Sequence, residues 1–527
     1  MKEISLFLFL FISFSAFCQK WEWISDIPGI GLERAWDMCM DKHQNILVTG
    51  QFTDTLEING VLVPPVGGSD IFVASFSKDG GLLWAKTFGG RYEDVALSIA
   101  CDGNGNIYFS GYFNDTAFFQ EQTVVSAGSW DMYVASLDQN GNIRWVQTSN
   151  GTQAEIAYGI SVSKQGKVFF TGWYQGTISF GDGTILTNYG GSDILTGCYS
   201  PDGNLLWVRN AGSEGVDYGY KMASDSLENC YVTGVAGGTI IFDTLVVEIG
   251  GMYVAKYNSN GEIQWVLPSL GLSVNDISTD ATGNGFVSGR YSDTGIFGEI
   301  VLNSLNATDD AYLARFTSNG EWDWAINIGC YKSDKGRAVE ALENGGAFIT
   351  GTFDSTLTIG DFALEGSGGE DIYLARVSAN GNVLWANAAG GQYSEIATDV
   401  CFDADTNVYI CGWYNESTQF GSIAFNSGTA GNINFFVARN TRKVSKISPI
   451  GPAGIQFFSN PVKELLHIQS DENVLKVQIF SLKGTLVFSK PAMGKELKLD
   501  VSSLSPGSYI LEITTNQIHS SHLIVKE

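Results

Sequence analysis

One pattern repeats seven times between residues 20 and 440: a short strand that closes on a small residue and then a glycine. The copies read ILVTG, IYFSG, VFFTG, CYVTG, GFVSG, AFITG and VYICG. Their glycines are Gly50, Gly111, Gly172, Gly234, Gly289, Gly351 and Gly412, spaced by 61, 61, 62, 55, 62 and 61 residues. Self-similarity at this period marks an array of one supersecondary unit. It overrides the expectation that 527 residues divide into several unrelated domains.

A second marker runs in the same register. Trp84, Trp145, Trp207, Trp265, Trp324 and Trp385 each follow, by a few residues, an Asp-Gly or Asn-Gly pair ending at Gly80, Gly141, Gly203, Gly261, Gly320 or Gly381. Such pairs supply the positive φ angles of a two-residue type I′ hairpin. The strand ahead of each turn (DIFVASF, DMYVASL, DAYLARF and their equivalents) is thus predicted to pair with the Trp strand behind it. Each unit reads as four strands; in the second copy they span residues 96–102, 106–113, 131–137 and 142–148. Four antiparallel strands in about 60 residues, repeated, is the signature of a β-propeller blade.

The seventh copy ends near Arg439 without a Trp strand, while Trp23 stands alone at the other end. Trp23 precedes Gly50 by 27 residues, the same offset that separates Trp84 from Gly111 and Trp385 from Gly412. The N-terminal strand therefore completes the last blade and closes the ring, which leaves no open sheet edge between the ends of the domain. The expectation is an all-β, seven-bladed propeller of four-stranded blades over residues 19–440, followed by a linker at 441–454 and a small β-sandwich at 455–527.

The unit (a D-x-Y-V-A strand, G-x-x-x-W, an acidic residue before a strand, and N-x-Y-x-[ST]-G) resembles the SBBP-type β-propeller repeat family of bacteria. That resemblance covers about 420 residues and implies an extracellular surface protein of binding type, with no catalytic residue. The last 73 residues contain short alternating strands such as VLKVQIFSL and GSYILEITT. They resemble the type A sorting domain of the Bacteroidota type IX secretion system. Asn460-Pro461 opens the match; Val477, Ile479, Phe480 and Gly484 follow, then Leu499, Leu504, Gly507 and Tyr509. This resemblance implies the type IX machinery as a partner and export across the outer membrane.

Residues 1–18 read as a signal peptide: Lys2, an apolar run from Ile4 to Phe14, and Ala16-Phe17-Cys18 as a cleavage site. A lipid-anchored Cys18 is the rival, against which Phe17 argues. No other stretch has the length and apolarity of a membrane helix. The net charge of −26 repels phosphate backbones and excludes nucleic acid as a partner. Seven cysteines follow the leader, an odd number with no C-x-x-C pair, so neither a zinc site nor a disulfide framework is expected. Most read as buried thiols, with a Cys401–Cys411 bridge left open.

Chemistry is sparse. His43 is the one propeller histidine, with no evident nucleophile or acid beside it, and a His-ligated metal is excluded on count. Asp102-Gly103-Asn104-Gly105-Asn106 hints at calcium but lacks a downstream bidentate Glu and reads better as a hairpin turn. No cofactor is expected. Three triplets starting at Asp54, Asp115 and Asp243 resemble a Bacteroidota O-glycosylation site; ordinary turn sequence is the competing reading. Seventeen residues before the marker glycines stand Glu33, Asp94, Glu155, Asp217, Leu272, Asp334 and Glu395, with Asp276 as a possible substitute for Leu272. Two readings of this acidic ring stay open. Each carboxylate either fixes its own turn, or the set gathers at a channel mouth to take a cation or sugar hydroxyls. The expected function is a monomeric, secreted or surface-attached module that binds a glycan or protein and is not an enzyme. The alternative is a carboxylate-dependent glycoside hydrolase or lyase, since that chemistry needs only two carboxyls.

Overall fold

The structure is a computed structural model that describes residues 19–304, 308–426, 431–442, 455–458, 462–481, 486–505, 507–515 and 519–526. Among them every regular element is a β-strand. The contacts divide the chain into a unit spanning 20–441 and a C-terminal unit.

The first unit is a β-propeller. Among the described residues its pairings form seven four-stranded antiparallel blades. Blade 1 comprises Glu33–Met40, Ile46–Phe52, Asp70–Phe76 and Leu82–Gly90. The innermost strands of blades 2 to 7 are Val95–Cys101, Glu155–Val162, Tyr218–Ser224, Leu270–Thr279, Lys335–Ala341 and Glu395–Phe402. Blade 7 is closed by the N-terminal strand Gln19–Ser25, which lies beside Ile433–Arg442 at the outer edge. The hydrophobic core consists of seven clusters, each drawing its side chains mainly from two neighbouring blades. One of them joins Val48 and Phe72 of blade 1 to Tyr409 and Val437 of blade 7. A blade thus buries its apolar faces only against its neighbours, and closure is what covers the last one.

The marker glycines have a steric cause. Every innermost strand carries a β-bulge at the same register position: between Ala35 and Asp37 in blade 1, Ala96 and Ser98 in blade 2, Ala397 and Asp399 in blade 7. The bulge turns the preceding backbone carbonyl onto the glycine of the second strand. A Cβ on Gly50 would collide with the Arg34 carbonyl and one on Gly412 with the Ile396 carbonyl; the other five marker glycines meet the same obstacle. The tyrosine of the third strand reaches this carbonyl as well. Tyr133, Tyr253 and Tyr312 each donate a 3.1 Å hydrogen bond, to Val95, Tyr218 and Ser273.

The Trp and hairpin-Gly markers touch across the blade boundary. The indole N–H of Trp145 donates to the Pro201 carbonyl at 3.0 Å, and that of Trp324 to Ala379 at 2.8 Å; Trp23, Trp207 and Trp265 bond the next blade's hairpin in the same way. Each ring lies over the turn glycine, where a Cβ would stand 2.5–3.3 Å from it. The turn itself differs from the expected type I′ form. In blade 1 the Gly80 N–H bonds the Ser77 carbonyl, only Gly80 has positive φ (86°), and the register shifts by one between Ser75 and Phe76. This is a type I turn followed by a left-handed glycine, the three-residue hairpin with a G1 bulge.

The cysteine expectation is corrected at one place. Cys39 and Cys101 form a disulfide between the inner strands of blades 1 and 2, with Cα atoms 6.5 Å apart. Their separation of 62 residues is one repeat, so the ring brings them side by side. Cys401 and Cys411 are buried free thiols; in the ladder Cys401 faces Tyr409 and Cys411 faces Asp399, which leaves them out of register for a bridge.

The C-terminal unit pairs Leu465–Ser481 with Leu486–Asp500 and with Gly507–Thr515, and the last strand is His519–Lys526. Its core holds Val477, Ile479, Leu499, Leu504 and Leu511. Tyr509 packs against this core and bonds the Ser505 carbonyl at 2.8 Å. Asn460, Pro461, Gly484, the leader 1–18 and the expected linker residues 443–454 lie outside the described residues.

Trp207→Ala is expected to cost about 3–5 kcal/mol, because the ring is 8% exposed and bridges two blades. Removing the strand Gln19–Ser25 is expected to lower the melting temperature of the whole ring rather than of one edge, since it uncovers the closing interface. Thermal melts of both variants against the parent chain check this; an unchanged melting temperature would refute closure as the stabilising contact.

Candidate binding site at the propeller axis

The bulge also decides what reaches the axis. Thirteen residues before each marker glycine, directly after the bulge, stand Asp37, Ser98, Gly159, Lys221, Asp276, Ala338 and Asp399. They form a waist. Several of them bond the inner strand of the next blade: Asp37 accepts from Ile99 N–H (2.8 Å), Ser98 from Ile160 N–H (3.2 Å), Asp276 from Val339 N–H (2.8 Å) and Asp399 from Met38 N–H (2.8 Å). Ser98 also donates to Asp37. The ring is thereby laced together at its narrowest point.

From the waist onward the C-terminal halves of all seven inner strands line a cavity of about 440 Å³. Lys221 reaches into it and pairs with Asp37 at 2.9 Å. Burial alone would lower the Lys221 ammonium, but Asp37, Asp276 and Asp399 hold it above its ordinary value. Burial raises Asp399 and Asp276, the latter partly offset by Lys221. Burial also pushes Glu340 to about 7, opposed by its 2.8 Å bond from Ser278. The Cys39–Cys101 bridge lies in the same wall. These groups can exchange protons and hydrogen bonds with a small polar ligand. Among the described residues, no set of three or more Asp, Glu, His or Cys is placed to hold a metal ion.

The acidic ring that precedes the inner strands lies apart from these groups. Glu33, Asp94, Glu155, Asp217, Asp334 and Glu395 are each fully buried and do not line this cavity. Asp94, Asp217, Asp334 and Glu395 accept the backbone N–H four residues upstream (Gly90, Ser213, Cys330, Gly391), and Glu33 accepts that of Gly31. That is the geometry of a carboxyl that fastens a turn. At five blade junctions it is buried beside the carboxyl that opens the preceding blade's third strand: Asp70 by Asp94, Asp131 by Glu155, Asp193 by Asp217, Asp310 by Asp334, and Asp371 by Glu395. Burial first, and the like-charged neighbour in addition, push Glu155 and Glu395 up to about 8 and Asp94 and Asp334 to about 7.

Leu272 is the true equivalent in blade 5. It faces Tyr291 in the ladder as Glu33 faces Phe52, and Asp276 belongs to the waist instead. Gly251 replaces the partner Asp at that junction. A second cavity of about 300 Å³ opens there, with Arg290 held to Asp309 at 2.9 Å. The Asp102 carboxylate is filled by four donors: Asn104 N–H, Asn106 N–H, Asn106 Nδ2 and Tyr108 Oη. Despite its burial, these bonds hold it below the usual carboxylate range, and it fixes a hairpin.

Residues 456–527 match the family of secretion system C-terminal sorting domains. The chain thus carries a type IX sorting domain behind a propeller. It is 22% identical over 519 residues to an uncharacterized WD repeat-containing protein of Acanthamoeba polyphaga mimivirus, covering 86% of this chain but only 35% of that protein. Among solved structures it is similar to the Pan2 WD40 domain of Neurospora crassa (10% identity, TM-score 0.41, 79% of this chain and 95% of that one). It is also similar to PorZ of Porphyromonas gingivalis, a surface component of the type IX system (9% identity, TM-score 0.14, 96% and 100%).

A carboxyl whose folded pKa lies above its unfolded value binds its proton more tightly in the native chain. Stability is therefore greatest while the junction carboxyls are protonated, and it falls as pH rises from about 4 to about 8. The melting temperature is expected to drop between pH 5 and 8.5. Glu155→Gln, which keeps the uncharged form, is expected to flatten that slope; melts across the range check both, and an unaltered slope would refute the assignment.

Proposed function

We propose that this chain is an exported surface protein whose propeller binds a ligand at its axis and does not transform it. The reading is carried by one conjunction: an export domain fused to a ring whose polar side chains from several blades converge on a single axial channel. The type IX machinery is the partner of the C-terminal domain, and the outer surface is the place where the propeller works. A carboxylate-dependent hydrolase is the second reading. The observation that favours it is the raised Glu340 in the axial cavity, since a carboxyl kept protonated near neutral pH can serve as a general acid.

Two measurements test this. Deleting residues 456–527 in a secretion-competent host is expected to leave the propeller in the periplasm, while the full chain reaches the surface. Incubating the secreted chain with oligosaccharides is expected to yield no cleaved product. Product that disappears in Glu340→Gln would establish the hydrolase instead.

A further inference from the structure

The waist divides the channel, and the end opposite the cavity has its own chemistry. The bulge residue of each inner strand, one position before the waist, is half-buried in all seven blades: Trp36, Leu97, Tyr158, Tyr220, Asn275, Arg337 and Thr398. The residue after each marker glycine flanks this ring: Gln51, Tyr112, Trp173, Val235, Arg290, Thr352 and Trp413, of which all but Thr352 are half-buried. Six of these fourteen positions hold Trp or Tyr and none holds Phe, although the chain has 32 Phe against 13 Trp and 21 Tyr. None holds Asp or Glu, in a chain with 56 of them.

Ring contacts join blades 3 and 4, and blade 2 adds a further aromatic pair. Tyr112 stands 5.5 Å from Trp130, which is 36% exposed. Tyr158 and Tyr220 meet edge to face at 5.5 Å, Trp173 and Tyr218 lie 5.5 Å apart, and Tyr218 and Tyr220 stack at 5.7 Å. On the far side, blades 5 and 6 present charged pairs instead: Arg290 with Asp309, and Lys335 with Glu370 at 2.7 Å. Arg34 lies over the Trp413 ring at 4.9 Å.

A platform of rings that each keep a polar tip, with charged donor and acceptor pairs on the neighbouring blades, is complementary to a ligand with apolar C–H faces and a rim of hydroxyls. A lipid would be matched as well by Phe, which is excluded from these positions. Resting on the reading that the propeller binds at its axis, we infer that this mouth is a saccharide-binding site, with the arc of blades 2 to 4 stacking on successive sugar rings and Arg290 and Lys335 with their acids taking hydroxyls.

The test uses the secreted full chain and a panel of defined hexasaccharides: β-1,4-glucan, β-1,4-xylan, α-1,4-glucan, chitin, and uronic-acid oligomers. Binding is followed by tryptophan fluorescence and titration calorimetry. At least one member is expected to bind. Trp173→Ala and Tyr220→Ala are expected to weaken it about tenfold. Tyr158→Phe keeps the ring and guards against misfolding, and is expected to weaken it less. Leu227→Ala, in the exposed turn that follows the inner strand of blade 4, is expected to leave it unchanged. Absence of binding by the whole panel at millimolar concentration overturns the inference. So does binding that Ser278→Ala, in the opposite cavity, weakens and Trp173→Ala spares, which would keep an axial site but move it to the other end. A protein ligand lost in Tyr220→Ala, with no saccharide bound, would leave the axial reading intact and refute its sugar chemistry.

Discussion

The β-bulge in each inner strand is the constraint on which the rest of the propeller depends. One extra residue turns a backbone carbonyl onto the second strand, and only glycine accommodates it there. In blades 2, 4 and 5 a third-strand tyrosine then closes over that glycine and bonds the same carbonyl. Three separate motif positions are thus one contact. The bulge also re-aims two consecutive side chains, one toward each half of the channel, which a regular strand with its alternating faces would not do.

Cohesion between blades comes from contacts that a single blade lacks. Six of the repeat Trp rings, all but Trp385, rest on the hairpin glycine of the next blade, and each apolar cluster is shared between neighbours. The waist side chains lace consecutive strands through hydrogen bonds, and one junction adds a disulfide. Such a ring gains little from its first blades and much from its last contact, so the N-terminal strand matters out of proportion to its length.

Against this regular background the irregular positions stand out. Three aspartates and a lysine interrupt the small residues at the waist, where burial forces them to compensate one another. At the blade 4–5 junction, Gly251 and Leu272 remove both carboxyls, and a cavity opens beside them. The half-buried ring ahead of the waist carries amphipathic aromatics on one arc and charged pairs on the other. A repeat protein pays for its scaffold at the positions it keeps and is free to specialise at those it varies.

The sorting domain was legible from motif residues contiguous in the chain, while the repeat register alone determined the blade unit, the four strands and the Trp23 closure, because each rests on regular spacing. It also placed Glu33, Asp94 and their equivalents correctly at the entry to the inner strands. It could not tell whether those carboxyls face a channel or a turn, since both lie at the same sequence position and differ only in side-chain direction. Asp37, Lys221 and Asp399 were in register thirteen residues before the marker glycines, yet they differ in residue type, so no motif announced them. The tertiary structure decided these points, as it decided the Cys39–Cys101 bridge, because the bulge rotates side chains by an amount the sequence does not spell out. Residues 62 apart become neighbours only once seven blades have closed around an axis.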